Sequence, residues 1–79
     1  MHNWRVTIEC WPFSGVEQKE AGLRVHDFSV AADNMMDAVL MAMIYQAGML
    51  RSPQVWRAPI TSIRRMEHDE HIPYQEKLG

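Results

Sequence analysis

The sequence predicts a small α+β domain of order β-β-α-β, in which three mainly antiparallel strands form a sheet of order 2-1-3. One helix covers a single face of that sheet. Three observations lead there. "WRVTIEC" alternates apolar and polar residues, "NMMDAVLMAMIYQAGM" is apolar and closed by turn residues at both ends, and a third β-branched run, "VWRAPITSIRRME", follows it. Seventy-nine residues leave room for one domain. A chain of this length buries only about 60–65% of the surface its unfolded form exposes, so its core is marginal.

In the first strand Trp4, Val6, Ile8 and Cys10 share one side, while Arg5, Thr7 and Glu9 share the other. "PFSGVEQKEAG" then reads as a loop, punctuated by Pro12, Gly15 and Gly22. "LRVHDFSVAA" is the second strand with a break in phase. Leu23 and Val25 have one parity, Phe28 and Val30 the other, and a β-bulge at His26-Asp27 would bring all four to the core. Arg24 and His26 are then expected on the wet face with Arg5, Thr7 and Glu9.

Asp33 or Asn34 can cap the helix by accepting from first-turn amides. The helix should run to about Ala47, with Gly48 as its left-handed C′ residue and Pro53 barring continuation. The third strand contains Pro59, which implies an edge position or a break. Trp56, Ile60 and Ile63 also sit at helical spacing, but Pro59 and the β-branching favour a strand. The single domain is expected to span residues 1–66, and residues 67–79 to form a loose polar tail.

Apolar residues at 47% and charged residues at 23% are those of a globular protein and argue against disorder. A net charge of −2 with dispersed basic residues argues against nucleic-acid binding. The single cysteine, Cys10, permits no internal disulfide, which suits a reducing compartment. No leader pattern opens the sequence, and the central apolar run is too short to span a membrane, so a cytoplasmic protein is expected.

The helix carries more apolar surface than one small sheet can use. Its inward stripe is expected to be Met35 or Met36, Val39, Ala42, Met43 and Ala47, with Ala38 and Leu40 at the margins. The outer face is then Asp37, Leu40, Met41, Ile44 and Tyr45. Methionine and tyrosine are enriched at interface centres. Covering these side chains would contribute about 1.5–3 kcal/mol for each one fully buried. The expected partner is a second copy or another protein. "WPF" offers a second contact patch through Trp11 and Phe13, or else folds over the end of the sheet to finish the core.

No catalytic constellation is evident, and no enzyme, cofactor or small-molecule substrate is expected. Cys10 lies on the apolar side of its strand, where a cysteine acts as a small hydrophobe. "EHDEH" holds ligand-type residues, with His68 and His71 as weak metal candidates. It lacks a second ligand pair at a recognised spacing, so it reads as a solvated segment.

A strand hairpin followed by an alanine-punctuated helix, Arg24 to Ala47, resembles in architecture the partial ribonuclease-H-like domains of HicB-type antitoxins. No motif accompanies the likeness, and it transfers no function. The functional expectation is a non-catalytic interaction module, dimeric, acting as an inhibitor, adaptor or antitoxin-like protein of the phage accessory type. A small structural subunit of a larger assembly is the alternative, and a metal protein using the histidine-rich segment the second.

Overall fold

The computed structural model describes residues 1–14, 19–20 and 22–72. Its elements are β1 (His2–Ser14), β2 (Lys19–Glu20), β3 (Arg24–Ala32), α1 (Met35–Leu50), β4 (Val55–Arg57) and β5 (Ile60–Arg65). β1 is the central strand. β3 pairs with it antiparallel on one side, β5 and β4 pair antiparallel on the other, and β2 continues the hairpin at its far end. The expected β-β-α-β order, the 2-1-3 arrangement and the single helix on one face are all present.

The third strand is broken at Ala58-Pro59, and both pieces lie at the sheet edge, where proline's missing N–H costs no ladder bond. Pro59 still contributes its carbonyl, which accepts from Glu9 N at 3.0 Å. The register on β1 shifts between Thr7 and Ile8 to accommodate this break.

The expected loop after Cys10 begins later. β1 continues through Pro12, Phe13 and Ser14, with Pro12 opposite Val55 at a register shift that follows Trp11. A residue without an N–H sits where the ladder is already irregular. Residues 15–18 and 21 of that loop lie outside the described residues.

The bulge at His26-Asp27 is absent. Register is unbroken from His2↔Ala32 to Cys10↔Arg24. Polar contacts across the sheet fix it: Asp27 sits opposite Thr7, whose Oγ1 donates to Asp27 Oδ1 at 3.3 Å, and the Arg5 guanidinium grips the same carboxylate. One extra residue would carry Asp27 to the wrong face. Leu23 and Val25 are therefore exposed rather than in the core, at 41% and 53%. His26 stands opposite Ile8 and Arg24 opposite Cys10, on the side of the sheet that faces the helix rather than on the wet side.

The core is Trp4, Val6, Ile8, Val30 and Ala32 from the sheet, Ala38 and Ala42 from α1, and Ala58 from the strand break. Phe28, Met41, Met49, Val55, Ile60 and Ile63 pack around it. Trp4 Nε1 donates to Ala32 O at 3.0 Å, so the buried indole N–H is satisfied. Gln46 Nε2 donates to Ala58 O at 2.8 Å and ties the helix to the free carbonyl at the break.

Asn34 is the N-cap, its side chain accepting from Asp37 N at 2.9 Å. The helix passes through Gly48 and ends at Leu50, three residues beyond the expected stop. Arg51 is the C-cap in ordinary right-handed geometry, and Arg51 N and Ser52 N donate back to Ala47 O and Met49 O. A turn leading into Pro53 supplies the stop that glycine was expected to give. No helix among the described residues is long and apolar enough to cross a membrane.

Candidate interaction surface

Which way α1 is turned decides what the protein shows to solvent. At 3.6 residues per turn, consecutive residues are about 100° apart. The two fully buried positions, Ala38 and Ala42, fix the inward direction. Met41 and Met49 flank them against the core, and the Tyr45 ring lies on Phe28 with centroids 4.7 Å apart. This is rotated by roughly one residue from the stripe expected on periodicity, since only Ala42 is common to both fully buried sets. Two alanines one turn apart let the helix backbone settle close to the sheet, where methionine or leucine would hold it away.

The rotation redistributes the expected outer face. Leu40 and Ile44 are exposed as expected, at 52% and 71%. Met41 is corrected to a half-buried core neighbour, while Tyr45 is exposed as expected, with its ring against Phe28. Met43 and Ala47, assigned to the inward stripe, face solvent instead. With Met36 and Leu50 they complete a stripe at positions 36, 40, 43, 47 and 50, with Ile44 beside it. Asp37 lies at the N-terminal end of this face and Arg51 at the C-terminal end, both exposed. The large side chains leave on the order of 500 Å² of apolar surface in one patch, at the upper end of what monomers show.

The opposite face of the sheet is polar and internally satisfied. Arg5 and Arg64 are direct cross-strand neighbours, a like-charge pair that would destabilise the sheet if left alone. Asp27 and Glu70 resolve it. Arg5 Nε donates to Asp27 Oδ1 at 2.8 Å, and its two terminal nitrogens reach Asp27 and Glu70. Arg64 grips Glu70 with both terminal nitrogens, one of them at 2.7 Å. Glu67 N adds a further bond to Glu70 Oε1 at 3.2 Å.

The Arg64 guanidinium first, then the Glu67 amide and Arg5, hold the Glu70 carboxyl down to about 2. Arg5 likewise holds Asp27 below the usual carboxylate range. Asp27 chiefly, then Glu70, raises the already high value of Arg5. These four charges neutralise one another and offer no unpaired group to a ligand.

Glu70 belongs to the "EHDEH" segment, so its first residues are pinned to the sheet; residues 73–79 lie outside the described residues. His68 and His71 are exposed and line different recesses, His68 with His2 and Arg65, His71 with Asp69. Among the described residues no three His, Cys, Asp or Glu side chains converge as a metal site. Cys10 is buried on the core side of β1.

Trp11 is half-buried and tilts against Trp56 at 6.2 Å between centroids. Phe13 continues β1 opposite Glu20.

Periodicity missed Met36, Met43, Ala47 and Leu50 as surface residues. Volume would not have found them all, since Ala47 is as small as the buried Ala38 and Ala42 yet faces solvent. Comparison with protein-family models, with curated proteins and with solved structures finds no match to this chain.

Proposed function

We propose that this domain is a non-catalytic protein–protein interaction module that docks through the outer face of α1. Inhibitor, adaptor and antitoxin-like roles all use such a module, since each acts by covering a surface. One observation carries the reading: Met36, Leu40, Met43, Ile44 and Leu50 are 46–71% exposed on a helix whose other side already completes the core. The polar sheet face is self-neutralised, and the recess beside His2 and Arg65, about 280 Å³, is a half-open polar hollow at the strand ends.

The test places a photo-crosslinking residue at Ile44 and, separately, at Thr61 on the exposed edge of β5, in cells that make the protein. A discrete protein adduct from position 44 and none from position 61 is expected. Equal or absent labelling at the two positions refutes the reading.

A further inference from the structure

We infer that the surface seated on α1 is a second copy of α1 itself, running antiparallel about a twofold axis at Ile44. This rests on the reading of the outer face as a docking surface and names its occupant.

The residues Asp37, Leu40, Ile44, Gly48 and Arg51 share one side of the helix, and their spacing reads the same in both directions. Reversing the helix about Ile44 therefore exchanges Asp37 with Arg51 and Leu40 with Gly48. A closed twofold contact demands this self-complementarity, and a heterologous partner does not. Arg51 keeps right-handed helical geometry, so the spacing holds to the end of the stripe.

Charge and shape both match under the exchange. Asp37 and Arg51 are exposed, and neither forms an ion pair with any described residue. In the antiparallel pair each Asp37 carboxylate faces the Arg51 guanidinium of the second copy, at both ends of the contact. A side chain on Gly48 would meet nothing within 4 Å, so the space above it is open. Leu40 of the second copy fills that space, and Ile44, the most exposed of these apolar side chains at 71%, meets its own twin at the axis. The layers run sheet, helix, helix, sheet, which leaves both Arg5–Asp27–Glu70–Arg64 clusters facing outward.

Size sets the strength. Met36, Met43 and Leu50 lie roughly 80–120° round the helix from this seam, so the twofold contact buries less than the two patches together, under about 1,000 Å² and in the range of weak interfaces. The dimer is therefore concentration-dependent, with a dissociation constant in the range of about 1–100 µM.

Sedimentation equilibrium on the full chain across that range is the experiment, with circular dichroism on each variant to establish that it is folded. The parent should dimerise. Asp37→Arg alone and Arg51→Asp alone should each weaken the dimer about tenfold, because each replaces two attractive contacts with two repulsive ones. The double exchange should restore it to within about threefold. A parent that stays monomeric overturns the second copy as occupant, and crosslinking at Ile44 then decides the docking reading by itself. A dimer indifferent to the charge variants and to Ile44→Glu also overturns the second copy as occupant, since the contact would then lie off α1, and crosslinking again decides the docking reading.

Discussion

Replacing Ala42 by leucine tests which side of α1 faces the sheet. Ala42 is 0% exposed and sits in one cluster with Val6, Ile8, Val30 and Ala38. The substitution adds three carbons where no solvent-facing space exists. Leucine and alanine are both good helix formers, so intrinsic propensity changes by only a few tenths of a kcal/mol. The loss is steric, and overpacking of a formed core costs about 1–3 kcal/mol. For a domain of this size each kcal/mol moves Tm by about 4–8 °C, so a fall of roughly 5–20 °C is expected.

Ala47→Leu is the matched control, the same chemical change on the exposed side of the same helix. It should move Tm by no more than a few degrees, as surface substitutions do. Both are followed by circular dichroism melting at about 1 µM protein, the low end of the dissociation range given above, and again at about 10 µM, so that any contribution of the dimer shows as a concentration dependence of Tm. If Ala47→Leu is the more damaging, or Ala42→Leu melts with the parent, the helix faces the sheet with the Val39–Met43–Ala47 side and the surface described here does not exist.

Two further outcomes follow from single contacts. Gly48→Ala should raise stability by up to about 1 kcal/mol under the same dilute conditions, because the residue is helical and its added methyl meets nothing within 4 Å; a loss would mean that Gly48 ends the helix in left-handed geometry. Acid should unfold the domain through its carboxylates. Glu70 is held down to about 2 in the folded chain against an ordinary value of 4.5, so the stability it contributes is complete above the ordinary value and disappears as pH falls through about 2. Asp27 adds in the same direction. Glu70→Gln should thus melt below the parent at pH 7, and the two Tm values should converge as pH approaches 2. Parallel curves across that window would remove Glu70 from the account.

Legibility varied with how local the deciding interaction was. β1 could be read directly, because "WRVTIEC" sets charged and apolar residues in strict alternation and both sheet faces obey it. The break at Pro59 was equally plain, since the missing N–H is a property of one residue. The phase of β3 was not. Leu23 and Val25 are apolar yet exposed, and what fixes the register is Asp27 meeting Thr7 and Arg5, whose positions are known only once the hairpin is paired. Glu70 was hidden for the same reason: it is one acid among several until β5 places Arg64 opposite Arg5. For α1 the existence of the helix and its Asn34 cap were local facts, but its rotation was not. The two polar residues of α1 are poor markers of phase, since Gln46 turns inward to Ala58 O and Asp37 stands alone in the first turn, so periodicity assigned Met41 outward and Met43 inward.

The distribution of side-chain volume around α1 fits the docking role proposed for its outer face. A helix whose only task is to seal a small core gains most by turning its largest apolar residues inward, at about 1.5–3 kcal/mol for each one buried. Here the fully buried positions are alanines, and methionine, leucine and isoleucine stand in solvent at Met36, Leu40, Met43 and Ile44. Charged residues at those four positions would preserve helix propensity, leave the Ala38–Ala42 contact untouched and improve solubility. The fold therefore places no demand on them. An apolar patch that folding does not require, and that exposes a marginal domain to non-specific association, is what the docking role proposed above would call for.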